Sequence, residues 1–534
     1  MFSFPWWLSL SLGFLSLSAE ILWVRLVGFA YRGVPLAFSF VLANYLIGIA
    51  IGAVVGKRYC AKRLDLYGVA VPVLVISGVW DILVPVIAPY VIRPFDNLLL
   101  PIVALMVVLT AGLKSVMFPI AHHLGSFQSG SMIGRSVSKI YMGNIVGSTL
   151  GPLITSYLLL DVMTLNQCFA IVGLLCLVMA AACVFKAESR KLGTVYVALG
   201  VIIVAGLWPP SDSGAMLKLA DNHGSKIKHM IENKHGVIHV VSDPKKGDIV
   251  FGGNVYDGRA TVDVDLNANS LERLYILSLL HPRSKSVLVI GLSTGAWVRG
   301  IQGFPGVERI DIVEINPGYL DLIRRYPMMA PLLSDPRVRI FIDDGRRWLN
   351  RNPDASYDLI VQNTTYHWRS NVTNLLSRQY FKEVKKHLNA GGITAINTTG
   401  SFDVLSTIQK VFAFTYRYMN FAYASDTPLT MTTEEVEKQM EKVLLPSGEY
   451  FPKKATSETS VLSLLRSAKL EPADITLKPA RGWASVITDE NMLPEYRHGK
   501  RFGGHTFSRY LLPPPVPTMD YKHGYPVSVL PQKE

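Results

Sequence analysis

Four short β-type segments in the C-terminal half each end on residues that can hold or handle a ligand. Residues 287–290 run into the glycine turn Gly291-Leu-Ser-Thr-Gly295, and 23 residues past Gly291 the segment 310–313 ends on Glu314. Residues 338–342 end on Asp343-Asp344-Gly345, and 358–361 end on Gln362-Asn363-Thr-Thr-Tyr366-His367-Trp368-Arg369. A glycine turn lets backbone amides close on a nucleoside, an acid at the next strand end accepts hydrogen bonds from ribose hydroxyls, and a third carboxylate is placed for an adenine amino group. Gly291, Gly295, Glu314, Asp343 and Asp344 are therefore the expected nucleoside-binding residues. The polar, aromatic loop after the fourth segment would lie over the reacting end of the ligand, with Asn363, Tyr366 and His367 around an acceptor; His367 is the one side chain there whose ordinary titration range lies near neutrality.

The elements that position these groups alternate. Helical stretches at 295–302, 317–325 and 378–388, the last capped by Ser377, separate the four strands and a fifth at 393–396. Such βαβ alternation predicts a Rossmann-like, doubly wound parallel sheet with its ligand at the carboxyl ends of the strands. Ahead of it, 236–242, 248–252 and 259–265 are short, β-branched and interrupted by Gly and Asp. With a turn expected over 254–259, they predict a small antiparallel β-hairpin domain.

The first 210 residues are different in kind. They hold 13 Lys/Arg and 6 Asp/Glu out of 53 and 40 in the 534-residue chain. Seven apolar stretches, near 5–30, 36–56, 67–92, 98–121, 141–160, 164–185 and 192–208, approach the length that crosses about 30 Å of hydrocarbon, the last being the shortest. The expected organisation is thus an all-α multi-span membrane bundle (1–210), a small β domain (211–270), the Rossmann-like domain (271–510) and a Pro-rich tail (511–534). Nine basic residues fall in the even-numbered connections against two, Arg32 and Arg93, in the odd ones. That bias puts the N-terminus in the cytoplasm, and seven crossings would then put the C-terminal domain outside. Glu20, Asp81 and Lys114 lie within the apolar stretches, where an ionisable group needs a partner. Gly143, Gly147 and Gly151, four apart, suit close helix packing. The net charge of +13 is spread without a long basic run, which argues against nucleic-acid binding, and no residue spacing suggests a metal.

From about residue 225 to 400 the order of features resembles the spermidine synthases, the polyamine aminopropyltransferases. The resemblance is carried by Tyr256-Asp-Gly-Arg259, Val287-Leu-Val-Ile-Gly-Leu-Ser-Thr-Gly295, Val313-Glu314-Ile-Asn316, Ile342-Asp-Asp-Gly345 and Leu388-Asn-Ala-Gly-Gly392. Glu20-Ile-Leu-Trp-Val-Arg25 and Thr488-Asp489-Glu490-Asn491 are similar to segments of membrane-fused bacterial members. The resemblance implies a class I methyltransferase-like core, decarboxylated S-adenosylmethionine or S-adenosylmethionine as donor substrate, and an amine acceptor near Glu272 and Tyr256. It also implies two aspartates in the loop after the fourth strand, where this chain has Asn363 and Tyr366. Asn363-Thr-Thr-Tyr366 has instead the spacing of the Asn-Pro-Pro-Tyr element of amine methyltransferases.

The expected function is a transferase in the bacterial inner membrane that moves an aminopropyl or methyl group from an adenosyl sulfonium to a small-molecule or protein amine. The alternative is an inactive synthase-like scaffold or binding subunit with its soluble domain outside the cytoplasm. Expected partners are the lipid bilayer and, through the Pro-rich tail, another subunit.

Overall fold

In the computed structural model, residues 3–62, 64–92, 100–126, 133–207, 214–222, 224–480, 484–492 and 494–495 are described. The tail 511–534 and the link 208–213 lie outside them. Contacts divide the described chain into two units: residues 1–221 with 230–237, and 222–229 with 238–495.

The first unit is helical: α1 (Phe4–Ala30), α2 (Pro35–Cys60), α3 (Leu66–Val91), α4 (Leu100–Ser126), α5 (Ile133–Ile154), α6 (Leu165–Val184) and α7 (Arg190–Gly206). The fifth begins at 133, not near 141, so Arg135 and Lys139 ride on its first turns instead of lying in a connection. It runs on through the wide π-turn Thr155–Leu159 to Val162. Among the described residues, six helices are long and apolar enough to cross a membrane. The 17-residue α7 rises about 26 Å at 1.5 Å per residue.

Glycine rows seat two helix pairs. A Cβ at Gly147 or Gly151 would overlap the backbone of Leu10 or Phe14 on α1, and Gly48, Gly52 and Gly56 of α2 lie against the α4 backbone in the same way. Only a missing side chain permits that approach. Between α3 and α4, Lys114 Nζ donates to Asp81 Oδ1 at 2.7 Å, both side chains almost wholly buried. Asp81, not Glu20, is thus the partner of Lys114.

The second unit is built on two sheets, the smaller of which includes the β1–β2 turn residues 230–237 that cluster with the first unit. β1 (Ile227–Asn233), β2 (Gly236–Val241), β3 (Ile249–Gly252) and β4 (Val255–Arg259) form a four-stranded sheet in that order. The β3–β4 turn falls at Gly253-Asn254, both in the left-handed region, so of the turn expected over 254–259 only Asn254 turns and 255–259 is strand. The strand expected over 259–265 ends at Arg259. Beyond it, the Asp263 carboxylate captures the amides of Asp265 and Leu266 in a local turn, which competes with a ladder. β1 escaped notice because Lys and His interrupt its alternation.

The larger sheet follows helix α8 (Glu272–Leu280). Its parallel strands are β5 (Ser286–Ile290), β6 (Arg309–Glu314), β7 (Val338–Ile342), β8 (Tyr357–Gln362) and β9 (Leu388–Asn397), alternating with α9 (Ala296–Ile301), α10 (Gly318–Arg324), α11 (Gly345–Arg351) and α12 (Arg378–Lys386). Ser377 caps α12 through the Tyr380 amide, as its sequence suggests. After α13 (Phe402–Gln409), strands β10 (Phe414–Tyr418), β11 (Phe421–Ser425) and β12 (Glu471–Pro472) extend the sheet antiparallel. The order is β12-β10-β11-β9-β8-β5-β6-β7, so the sheet is mixed rather than wholly parallel. Val287 and Val289 pack into the core on one face, Leu288 and Ile290 into the core on the other. Covered on both sides, the strand reads as an unbroken apolar run. The sheet's direction of winding reverses between β5 and β8, the point where such folds hold their ligands.

Lys114→Met leaves Asp81 buried without its counter-ion and is expected to destabilise the helical unit by about 3–5 kcal/mol. The double variant D81N/K114M should recover most of that loss. Thermal unfolding in detergent measures both, and equal losses would show that the ion pair is not the source.

Candidate functional site

The glycine turn after β5 is left-handed at Gly291, Ser293 and Gly295 (φ +89°, +49° and +78°). That winding aims the Leu292 amide at Glu314, whose Oε2 accepts from it at 2.7 Å, while Oε1 accepts from the Asn316 amide at 2.8 Å. Glu314 is 4% exposed. Burial, helped by the nearby Asp257, pushes its carboxyl up to about 7, against the pull of the Asn316, Leu292 and Ile315 amides. Since a carboxylate has about four acceptor sites, these amides leave it capacity for a further donor.

A second carboxylate closes on the same turn. Asp257, on β4, accepts from the Tyr319 hydroxyl of α10, and its backbone carbonyl accepts from the Ser293 hydroxyl. Burial pushes Asp257 up to about 6, opposed by that hydroxyl and by the charge of Arg369. Arg369 is half-buried, and desolvation lowers its pKa; its Nη1 donates to the Gly252 carbonyl at 3.2 Å and to Thr365 Oγ1 at 2.9 Å. The small sheet is thereby pinned over the carboxyl ends of the strands by an Asp257–Tyr319–Arg369 cluster. Sequence reading missed this group. Asp257 and Arg369 stand in segments that it singled out, but nothing in their spacing shows that they meet through Tyr319.

The loop after β8 joins from the other side. Asn363 N–H donates to the Ile290 carbonyl at 3.3 Å, and its own carbonyl lies against Gly291. Its side-chain oxygen accepts from Asn397 Nδ2 at 3.0 Å. His367 is buried, with Nδ1 2.7 Å from Thr399 Oγ1. The rings of Tyr366 and Trp368 lie 5.5 Å apart.

The remaining expected residues are more dispersed. The Asp343 amide donates to the Glu314 carbonyl at 3.1 Å, which ties the end of β7 to that of β6, but its carboxylate is held by Arg347 and Arg351. Asp344 caps α11 through the Arg347 amide at 2.9 Å. It borders a shallow cleft of about 390 Å³ lined by Arg346, Arg347, Asn350, Arg351 and Asn374. Glu272 is fully buried and accepts from Asn267 Nδ2 at 2.6 Å. Tyr256 meets Phe251 edge to face at 6.5 Å. The structure thus brings Gly291, Gly295, Glu314 and Asn363 to one corner of the sheet, with Asp343 and Asp344 one strand further out and Glu272 in the core. Asp489, in the segment Thr488–Asn491, bridges Arg346 and Ser377 and so braces the start of α11 against that of α12. No group of three or more His, Cys, Asp or Glu among the described residues is gathered as a metal ion requires.

Residues 276–432 match the spermine/spermidine synthase domain. A polyamine aminopropyltransferase of Prochlorococcus marinus is 30% identical over 196 residues, 33% of this chain and 69% of that protein. One of Clostridium perfringens is 36% identical over 181 residues, 32% of this chain and 63% of that protein. The chain spans about half (48%) of another, from Agathobacter rectalis, at 31% identity. Spermidine synthase from Thermotoga maritima aligns over 43% of this chain and 82% of its own, at 17% identity and a TM-score of 0.36. Across the synthase-like portion of its length, the chain belongs to the spermine/spermidine synthase family.

Proposed function

We propose that the C-terminal unit transfers an alkyl group, aminopropyl or methyl, from an adenosyl sulfonium to an amine, and that the helical unit anchors it in a membrane. The observation that carries this reading is Glu314. It is a buried carboxylate with acceptor capacity left beyond its backbone amides, set beside a left-handed glycine turn at the switch point of the sheet. Ribose hydroxyls would use that capacity, Asp344 would accept from the adenine amino group, and Asn363 and Tyr366 would lie toward the reacting end. The amine lone pair forms the new C–N bond as the C–S⁺ bond breaks. A neutral thioether leaves, and the ammonium proton passes to water. Because the sulfonium is already activated, holding the two reactants in line supplies most of the acceleration. Asn363 cannot take a proton at neutral pH, which favours an amine that arrives neutral. The same feature supports the second reading, a scaffold that binds a nucleoside without turnover.

Six crossings, with the N-terminus in the cytoplasm by the positive-inside bias, return the C-terminal unit to the cytoplasm, where sulfonium donors are made. A C-terminal reporter that is active only in the cytoplasm should therefore be active. Activity only from a periplasmic reporter would mean that α7 also crosses.

If ribose hydroxyls favour ionised Glu314, nucleoside binding releases a proton. With its folded pKa near 7, methylthioadenosine should bind about tenfold more tightly at pH 8 than at pH 6. Glu314→Gln should remove that dependence, and a flat profile in the unsubstituted protein would exclude Glu314 from the nucleoside site. Asp344→Ser keeps a helix cap but withdraws the carboxylate, so methylthioadenosine affinity should fall about tenfold. Unchanged calorimetric affinity would place the adenine elsewhere.

A further inference from the structure

The amide at the end of β8 is connected to an arginine through two others. Arg273 on α8 is 4% exposed and has only N–H groups to offer, so the Asn420 atom 2.8 Å from its Nη1 is the oxygen. Asn420 must then turn Nδ2 toward Asn397, whose Oδ1 lies at 2.8 Å. The backbone N–H of Thr399, at 2.9 Å, identifies that Asn397 atom as an oxygen a second time. Asn397 Nδ2 is left for Asn363 Oδ1, 3.0 Å away. An amide's O and N are alike in shape, but here groups that can only donate orient every amide in the row. Asn363 therefore keeps its oxygen inward and turns Nδ2 outward. Nδ2 makes no hydrogen bond among the described residues, and Asn363 is partly exposed, against Gly291 at the switch point.

An N–H donor aimed at a ligand discriminates. It repels an ammonium group, and a neutral amine that accepted from it would have its attacking lone pair occupied. It suits the oxygen of a carboxylate or carbonyl, with a carboxylate giving the stronger, charge-assisted bond. We infer that the Arg273–Asn420–Asn397 relay holds Asn363 Nδ2 as a donor to a carboxylate or carbonyl oxygen of the ligand, so that the site selects a ligand bearing such an oxygen over a bare polyamine. The inference rests on the nucleoside-sulfonium reading above. The oxygen has two sources: the α-carboxylate of S-adenosylmethionine, which the decarboxylated donor lacks, or a carboxylate on the acceptor amine.

Full-length protein in detergent, titrated calorimetrically, separates them. Asn363→Asp keeps the inward oxygen for Asn397 and replaces the outward N–H₂ by a charged oxygen. Asn397→Asp can no longer donate, so Asn363 must offer it Nδ2 and present Oδ1 to the ligand instead. If the donor supplies the oxygen, S-adenosylmethionine binds about tenfold or more tightly than its decarboxylated form. Both substitutions should then invert that order and leave methylthioadenosine, which lacks both groups, unchanged. If the acceptor supplies it, the two donors bind alike. The methylthioadenosine complex then takes 4-aminobutyrate about tenfold more tightly than 1,4-diaminobutane, again inverted by both substitutions. Tighter binding of the decarboxylated donor or the diamine by the unsubstituted protein, equal affinities in both comparisons, or preferences that survive both substitutions overturn the inference and leave the nucleoside reading standing. No heat with any of the three nucleosides removes that reading and the inference together.

Discussion

Glu314 is a carboxylate removed from water, and nearly every feature of the corner around it follows from satisfying that group. A buried charge without hydrogen bonds is expensive enough that the group neutralises or finds donors. Here the donors are the backbone amides of Leu292 and Asn316. The first requires a chain that leaves β5 in the left-handed region, which accounts for Gly291 and Gly295, and Ser293 pays for the same winding without being a glycine. The second requires the chain to turn just after β6. Parallel pairing of Ile290 with Val313 puts the two strand ends in step so that both amides reach one side chain. A slip of one residue would point the carboxylate to the opposite face.

The Asp257 cluster is the same problem solved with side chains. Tyr319 and Ser293 donate, Arg369 balances the charge, and together they join the small sheet to the ends of β5 and β6. Two carboxylates are thus raised side by side in a poorly solvated corner, the charge of Asp257 disfavouring ionisation of Glu314. On the proposed reading this arrangement suits a sulfonium donor, whose positive charge would favour ionisation of both carboxylates, and hydroxyls that need an anionic acceptor.

The fold was legible where one physical rule governed a segment. Apolar runs bounded by Gly or Asp revealed β5 to β9, and their alternation with helices gave the winding. The same rule failed at β10 and β11, whose mixture of Tyr, Arg and Ala reads as neither face of a sheet until β9 and α13 cover it. It failed again at 259–265, where β-branched residues suggest a strand but Asp263 prefers its own local amides. Strand-end residues could be named because each follows a recognisable element. Which of them meet could not, since Arg273, Asn420, Asn397 and Asn363 are scattered over 148 positions and touch only after the sheet is assembled.

That relay also explains how a change of chemistry at position 363 can be structurally cheap. Asn397 asks only for one acceptor oxygen, and an aspartate would supply it as well as the asparagine does. The inward demand is therefore indifferent to the choice, and the whole difference is delivered to the outward atom, which is an anionic acceptor in one case and a neutral donor in the other. Polarity set by a buried arginine two residues removed, rather than by anything at the loop itself, keeps that outward donor from rotating away when a ligand presents the wrong partner. Reversing an amide would leave Asn397 Nδ2 facing another N–H₂, an unpaired, partly buried donor whose loss is on the order of 1 kcal/mol. On the proposed reading, the selectivity of the site resides in the rigidity of the row, and the loop side chain only displays it.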